Sequence, residues 1–468
     1  MVSASTLNEI SSSVLRKVRP NLKQKKEMKV FSEALLKEAK LIGKEVSAVP
    51  MLCGSVSKNT WIRGKFELDL FFLFDTSLSH KQLSSNGLEI SKKLIKKMNG
   101  KYEIAYAEHP YVRGKIKYFG TTYQLDIVPC FGIKNLKKIK SSVDRTPHHV
   151  QYVKKKLTLP DDVRLLKQFC KANGCYGADV KTQGFSGYLC ELLILNYGKF
   201  SNLVKAASKW RAPVIIDLEK EKINHDKLFK KFKSPLILID PVDSQRNVAA
   251  AVSPESFYKL VSACSKLTKK PSSKLFFERK EIFSSSQIKK LVNERGTKWY
   301  MIKFERPDVI DDILWPQMRR TQKTLDTLMT QSGFEVLRKD VWADENNCLL
   351  LFEMKEWKIP RVYKKEGPNI YTKHSDQFLR HYKSENIFIE GDSWYIESYV
   401  KYRELLDFLK DHFSQTPNYL KNKGVPARIA KSKFKIYSGN DAVEYMLGAP
   451  KDFRVFLRRW FEKNLNVV

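Results

Sequence analysis

The segment from Met51 to Phe74, MLCGSVSKNTWIRGKFELDLFFLF, constrains the fold of this chain more than any other part of the sequence. It opens with a Gly-Ser pair, Gly54-Ser55, and ends in a run in which apolar and acidic residues alternate. In a β-strand, residues two apart project to the same side with Cα atoms roughly 6.5 Å apart. The alternation therefore predicts a strand with Glu67 and Asp69 on one face, where both carboxylates can hold the same pair of cations. The alternative is an ordinary solvated strand face.

Two neighbouring features favour a site over a solvated face. A third carboxylate, Asp126, lies in a similar apolar frame, YQLDIV at 123–128, which predicts a second short strand. The turn at Gly54-Ser55 offers backbone N–H groups and a small hydroxyl that can hold a phosphate, and Lys58 follows to balance its charge. Because carboxylates this close repel one another unless a cation lies between them, the pattern predicts a site for metal ions and phosphate.

These motifs resemble the nucleotidyltransferase superfamily that includes DNA polymerase beta. Five segments over residues 51 to 250 resemble, more narrowly, the archaeal (class I) CCA-adding enzymes, which are tRNA nucleotidyltransferases: GSVSKNTWIRGKFELDLFFLF, AEHPYVRGKIKYFGTTYQLDIVPCF, SSVDRTPHHVQYV, GFSGYLCELLILNYG and DPVDSQRNVAA. Weaker similarity continues through KFERPDVIDDILWPQ and FIEGDSWYIE. The resemblance implies an α+β, multidomain fold with a polymerase-beta-like palm (mixed sheet with helices), a helical neck, a βαββ RRM-like body and a C-terminal tail.

The resemblance also implies template-independent addition of C, C and A to the tRNA 3′ end from CTP and ATP, including repair of incomplete ends. Two Mg²⁺ ions at Glu67, Asp69 and Asp126 would align the primer 3′-hydroxyl with the α-phosphate and stabilise the attacking and leaving oxygens. Asp126 is the candidate for helping to remove the hydroxyl proton. Pyrophosphate would then leave.

Further residues are assigned to the nucleotide by the same resemblance. The Gly54-Ser55 turn is assigned to phosphate. The β- and γ-phosphates are assigned to Ser55, Lys58, Lys167 and Tyr176, the sugar and phosphates to Thr146 and His149, and the base to Arg246. Lys58 departs from relatives that carry arginine here, which keeps the charge and loses the bidentate fork.

Several nearby polar residues are expected to be structural. Imidazole is a poor ligand for Mg²⁺, so His148 is predicted to support the fold. Asp240 and Asp243 are predicted to form a turn and to cap a helix that begins at residues 244–247.

Three other functions share these features. A poly(A) polymerase or an oligoadenylate synthetase carries the Gly-Ser pair and three acids but is expected to use ATP alone. A non-catalytic RNA-binding relative would keep the basic surface, although the presence of all three acids argues against it.

The charge balance favours nucleic acid as the partner. The chain has 85 Lys+Arg against 51 Asp+Glu, a net charge of +34 that is spread along its whole length. Such a field attracts a polyanion, and we expect tRNA, bound along its acceptor arm and elbow, rather than a membrane surface. With no run of about 18 apolar residues and no apolar leader, a cytoplasmic protein is expected. The seven cysteines are expected to be reduced core residues.

The length of 468 residues predicts several domains, since single cores stop growing near about 250 to 300 residues. The predicted domains are a head or palm at 1–150, a neck at 151–275, a body at 276–370 and a tRNA-binding tail at 371–468. A helix marked by an apolar stripe is expected to cover one face of the palm sheet; the stripe is Val30, Phe31, Leu35, Leu36, Ala39 and Ile42. Residues 364–369 are expected to form a link. Helices are expected near 373–384, 398–413 and 441–465. A homodimer is implied only by the resemblance.

Overall fold

The computed structural model describes residues 4–106, 109–219, 225–278 and 281–462. These residues fall into two compact units, Met1–Arg279 and Lys280–Lys463. Both units mix helices with sheets, which confirms the predicted α+β, multidomain class. The four-domain division stays a prediction.

Helices and strands alternate through the first unit. Its helices are α1 (Ala4–Val18), α2 (Leu22–Lys44), α3 (Gly54–Ser57), α4 (His80–Lys97), α5 (Thr146–Lys156), α6 (Pro160–Ala172), α7 (Gly187–Tyr197), α8 (Phe200–Ala207), α9 (His225–Phe232) and α10 (Pro254–Lys269). Its strands are β1 (Val49–Cys53), β2 (Glu67–Phe74), β3 (Lys101–Tyr106), β4 (Pro110–Tyr118), β5 (Thr121–Phe131), β6 (Val214–Ile216), β7 (Leu236–Asp240) and β8 (Asp243–Asn247).

The palm is a mixed sheet with strand order β1-β2-β5-β4-β3. Strands β2 and β5 are parallel, and the other neighbours are antiparallel. Helices α2 and α4 pack on the sheet, where Phe31 of α2 stacks on Tyr123 of β5 with ring centroids 3.8 Å apart. The buried alternation in β2, with Leu68 and Leu70 inside, is the one that the sequence predicts.

The helix with the predicted apolar stripe, α2, covers the sheet as expected, whereas α1 packs into another core. Leu7, Val14 and Val18 of α1 belong to the core that is built from α6, α7, α8 and α10. The chain turns at Pro20 and Asn21, and Asn21 caps α2 by accepting a hydrogen bond from the Gln24 N–H. Each helix therefore buries its apolar stripe against a different core.

The helical neck forms around α7, whose sequence, GYLCELLILNY, is apolar on nearly all sides. A helix of this kind is normally buried, and the side chains from Leu189 to Ile194 are buried here. Strands β6, β7 and β8 form a small sheet beside it. The prediction of a helix at 244–247 is wrong: these residues lie in β8, and the next helix, α10, begins at Pro254 with Ser253 as its N-cap.

The second unit contains the predicted βαββ motif. Its helices are α11 (Ser285–Arg295), α12 (Asp311–Gln331), α13 (Ser375–His381), α14 (Leu405–Ser414), α15 (Pro417–Asn422), α16 (Ala427–Ala430), α17 (Asn440–Gly448) and α18 (Lys451–Phe461). Its strands are β9 (Lys298–Glu305), β10 (Glu335–Ala343), β11 (Asn347–Glu356), β12 (Val362–Asn369), β13 (Asn386–Glu390), β14 (Ser393–Tyr399) and β15 (Lys435–Ser438).

Three expectations for this unit need correction. Residues 364–369 are not a link but part of β12, in a second sheet with order β12-β14-β13, despite the Gly367-Pro368 pair. Residues 398 and 399 end strand β14, so the helix expected from 398 begins only at Leu405. The helix expected over 441–465 is two helices, because Pro450 stands at the break between them.

The seven cysteines lie in the core of the described residues, as the sequence predicts. All seven cysteines are buried free thiols, which confirms that reading. Among the described helices, none combines the length and apolar character that crossing a membrane requires.

Candidate active site

Two of the three predicted carboxylates lie side by side at the centre of the palm. Because β2 and β5 run parallel and in register, Asp69 is paired directly with Asp126. Asp69 is also paired with Cys53, the last residue of β1, so the turn that follows β1 lies next to its carboxylate. Gly54 begins that turn with φ +64°, and a Cβ placed on it would lie 1.7 Å from Asp69 Oδ2.

The electrostatics of the acids show how closely they are packed. Burial, and then the charge of Asp126, raise the pKa of Asp69 to about 6. Asp126 accepts a hydrogen bond from Arg113 Nε at 3.0 Å, and Glu67 pairs with Lys65 at 3.0 Å. The electrostatic cost of packing the acids together therefore falls mainly on Asp69, because Glu67 is paired with Lys65 and Asp126 with Arg113.

The three acids have the right chemistry to bind Mg²⁺, but their side chains are not all turned towards one common point. Hard carboxylate oxygens are the ligands that Mg²⁺ prefers, and a shared cation would relieve the repulsion that raises the pKa of Asp69. Within the described ranges, however, no group of three or more His, Cys, Asp or Glu side chains is arranged to hold a metal ion. The cationic groups of Lys65 and Arg113 instead contact two of the acids, and both side chains are about half exposed and free to turn away.

A second cluster brings together the lysines predicted to bind phosphates. Lys58 Nζ lies 2.5 Å from Glu191 Oε2, and Lys167 Nζ lies 3.3 Å from Glu191 Oε1. Thr60 joins them, since its hydroxyl donates to Glu191 Oε1 at 2.7 Å and accepts from Lys167 Nζ at 3.0 Å. The hydroxyl of Tyr176 is close to this cluster. A Cβ atom placed on Gly187 would lie 3.3 Å from that hydroxyl and 3.5 Å from Lys167 Nζ, so both groups border the same space.

A third cluster centres on Asp240, the buried last residue of β7. His149 Nε2 donates to Asp240 Oδ2 at 2.9 Å, and Arg246 Nη1 donates to the same atom at 2.7 Å. Tyr188 donates to Oδ1 at 3.1 Å, and its ring stacks on His149 with centroids 4.0 Å apart. Burial lowers the pKa of His149, although Asp240 opposes that shift.

The three clusters form one site because Lys58 acts on all of them. Besides pairing with Glu191, its ammonium lies 5.8 Å from the centroid of the Tyr188 ring. Its charge also lowers the pKa of Asp69, against the larger effects of burial and Asp126, and adds to the lowering of the His149 pKa by burial. Ser55 lies in the one-turn helix α3 beside Gly54, and Thr146 begins α5 one turn before His149. The predicted residues therefore line one region of the first unit.

The roles expected for Asp240 and Asp243 are only partly right. Asp240 Oδ1 accepts the N–H of Val242 and Asp243 Oδ1 accepts that of Gln245, which are the expected turn contacts. Neither caps a helix, and Asp240 is instead the acceptor for His149, Tyr188 and Arg246. His148 Nε2 contacts the Ile133 carbonyl oxygen at 2.7 Å, which is consistent with its structural role.

Sequence reasoning missed Thr60, Tyr188, Glu191 and Arg113. The signal for Glu191 was present, because it is the one charged residue in the apolar sequence of α7. Arg113 is revealed only by the structure, in which it is paired with Asp126 across β4 and β5. No local pattern marked Thr60.

Two family models match parts of this chain. One, described as the second domain of tRNA nucleotidyltransferase, matches residues 161–277. A model for the C-terminal domain of the CCA-adding enzyme matches residues 295–439.

Curated relatives specify the family. A CCA-adding enzyme of Methanocaldococcus jannaschii is 35% identical over 94% of this chain and 97% of its own length. Those of Methanococcus maripaludis (37%, 86% of this chain, 91% of the relative) and Archaeoglobus fulgidus (36%, 83% and 85%) are similarly related. The chain belongs to the CCA-adding enzyme family. A solved structure of Cid1, an RNA terminal uridylyl transferase, covers 59% of this chain and 99% of its own at 16% identity, with a TM-score of 0.47 that is too low to bear on function.

Proposed function

We propose that the chain adds C, C and A to the 3′ end of tRNA from CTP and ATP, without a nucleic-acid template, and restores incomplete ends. The observation that carries the chemistry is the pairing of Asp69 with Asp126 across parallel strands, next to the Gly54 turn. Family membership supports tRNA as the primer.

Divalent ions bound at Glu67, Asp69 and Asp126 would supply Lewis-acid stabilisation of the charge that develops during phosphoryl transfer. Asp69 lies at the centre of this set, where burial and the charge of Asp126 raise its pKa. Asp126 lies one strand away and is the acceptor proposed for the proton of the primer 3′-hydroxyl. For Glu67 and Asp126 to hold the ions, the half-exposed side chains of Lys65 and Arg113 would have to release them.

The remaining residues hold the nucleotide. Ser55 and the backbone at Gly54, with Lys58, Lys167 and Tyr176, are the donors proposed for the β- and γ-phosphates, so that pyrophosphate leaves from a cationic pocket. Thr146 and His149 are proposed to hold the sugar and phosphates. Arg246, fixed at one end by Asp240 and 39% exposed at its side chain, has donors left for a base edge.

The partners follow from charge and family. The net charge of +34 favours the acceptor arm and elbow of a tRNA over a small ligand alone. A homodimer and a cytoplasmic location remain predictions.

The nucleotide requirement tests the proposal. Purified protein is given tRNA that ends at the discriminator base, Mg²⁺, and CTP alone, ATP alone or both, and the 3′ ends are sequenced. We expect two C with CTP alone and CCA with both. Long A tails with ATP alone would replace the proposal with a poly(A) polymerase, and binding without extension would replace it with a non-catalytic RNA-binding protein.

A further inference from the structure

Glu191 is a buried carboxylate with two cationic partners. It is the charged residue of the apolar helix α7, and its side chain is 1% exposed. Each carboxylate oxygen takes a different ammonium group, Lys58 on Oε2 and Lys167 on Oε1, and Thr60 adds a hydroxyl donor to Oε1. An isolated charge at such a depth would be very costly, so this arrangement must keep all three groups ionised to be stable.

The lysines come from different parts of the unit. Lys58 follows the Gly54 turn of the palm and Lys167 lies on α6 of the neck, and both side chains are almost fully buried. Two ammonium groups in one buried place repel each other, yet they share one carboxylate here. Since two positive charges face a single negative one, the cluster keeps an excess of positive charge for a polyanion.

We propose that Glu191 is a positioning residue: it holds Lys58 and Lys167 together, charged and pointed at one place, for the triphosphate of the incoming nucleotide. This inference rests on the proposed function, because it assumes that the nucleotide's phosphates bind these lysines. Glu191 itself does not touch the nucleotide. Thr60 supports the same geometry by joining Glu191 to Lys167.

The electrostatics predict how the site fails without the carboxylate. Burial lowers the pKa of Lys167, and the charge of Lys58 lowers it further. Glu191 and the thiol of Cys190 act in the opposite direction and raise it. For Glu191, burial alone would raise the pKa, but Lys167 and Lys58 hold it below its usual value. Glu191 is the main group that raises the pKa of Lys167. Removing its charge should therefore lower that pKa, so that Lys167 loses its proton at a lower pH.

The test is Glu191→Gln, which keeps the shape and removes the charge. We expect the KM for CTP and ATP to rise about tenfold or more, with a smaller fall in kcat, since a charge-assisted contact is worth about 1.5–3 kcal/mol. We also expect kcat/KM of this variant to begin to fall, as the pH rises, at a lower pH than kcat/KM of the unaltered protein. Glu191→Asp, which restores the charge on a shorter arm, should recover part of the affinity and move this fall back towards that of the unaltered protein.

Glu353→Gln is the matched control. Glu353 is fully buried in the second unit, and it pairs with Arg295 and accepts a hydrogen bond from Thr297, much as Glu191 pairs with lysines and accepts from Thr60. We expect Glu353→Gln to lower the melting temperature and leave the KM for both nucleotides and the pH profile unchanged.

The outcomes separate this inference from the proposed function. If the unaltered protein extends tRNA and Glu191→Gln keeps its KM and pH profile, the inference is overturned and the function stands. If Glu191→Gln is too unstable to assay, CTP binding by Glu191→Asp decides: weaker binding with a melting temperature near normal supports the inference, and unchanged binding overturns it. If the unaltered protein extends nothing, the proposed function fails. CTP binding by the unaltered protein, Glu191→Gln and Glu191→Asp then still tests whether Glu191 organises a triphosphate site: weaker binding by Glu191→Gln supports the inference, and equal binding overturns it.

Discussion

The Oδ2 atom of Asp69 lies only 1.7 Å from the place where a side chain on Gly54 would begin. The turn that follows β1 thus packs its backbone directly against the carboxylate at the centre of β2. The turn proposed to bind phosphate and the acid proposed to bind metal ions are therefore packed directly against each other.

Gly54→Ala should remove most of the activity. The new Cβ would displace the Asp69 carboxylate, and the φ of +64° adds backbone strain of about 1 kcal/mol for a residue other than glycine. We expect nucleotide incorporation to fall at least about a hundredfold, since a displacement of about 1 Å at a reacting centre has that effect.

Gly64→Ala provides the control for this change. Gly64 also has a positive φ, +76°, but among the described residues no heavy atom beyond its two chain neighbours lies within 4 Å of its Cβ position. Gly64→Ala should lower the melting temperature through backbone strain alone, by less than Gly54→Ala does, and should keep its activity. Equal loss of activity in the two variants would contradict the role given to the contact with Asp69.

Asp69 should make the metal-free protein more stable in mildly acidic than in neutral solution. Burial and Asp126 raise its pKa to about 6, whereas a carboxyl in the unfolded chain titrates near ~4. Between these values the folded state binds more protons, so this stabilisation is present below ~4 and is lost as the pH rises through about 6.

The measurement is urea unfolding of the unaltered protein and Asp69→Asn in EDTA at two pH values. The stability advantage of the variant should be small near pH ~5 and larger near pH ~7, and added Mg²⁺ should reduce it by stabilising only the unaltered protein. Asp75→Asn, at an exposed residue after β2, should show no such growth. An advantage for Asp69→Asn that is equal at both pH values would contradict the raised pKa.

Arg113→Gln should strengthen Mg²⁺ binding. Arg113 holds Asp126 in a partly exposed ion pair, and such pairs contribute up to about 1 kcal/mol, or about fivefold in a binding constant. We expect the Mg²⁺ concentration for half-maximal thermal stabilisation to fall by up to that factor. Lys93→Gln removes another exposed pair, with Glu45, away from the acids, and should not change it. Weaker Mg²⁺ binding in Arg113→Gln would show that Arg113 supports the metal site instead.

Asp240→Asn should affect both stability and nucleotide binding. Asp240 is buried and is the acceptor for His149, Tyr188 and Arg246, so loss of its charge should cost about 3 kcal/mol of unfolding free energy. It should also raise the KM for CTP and ATP, because His149 and Arg246 lose the group that orients them. Asp243→Asn, which loses an ion pair with Arg145, should cost less and keep the KM. A normal KM in Asp240→Asn would exclude the proposed base and sugar roles.

The sequence predicted elements better where periodicity alone decides structure. The alternation in β2 and the apolar stripe in α2 are predicted correctly, because burial follows a simple period in both. Strand β12 was missed because Gly367 and Pro368 indicate a loop, and pairing with β14 overrides that local preference. The role of Asp240 was misjudged for a similar reason: its partners His149 and Tyr188 are distant in sequence and meet only in the fold.

The most direct test of the central claim is single-turnover addition of labelled CMP to a tRNA without its CCA end, in Mg²⁺, by the unaltered protein and by Asp69→Asn, Asp126→Asn and Asp75→Asn. We expect two added C for the unaltered protein and for Asp75→Asn. For each of the other two variants we expect addition to be at least about a thousandfold slower, with tRNA binding retained. Addition at a normal rate by Asp69→Asn or Asp126→Asn would contradict the claim that this strand pair is the catalytic centre.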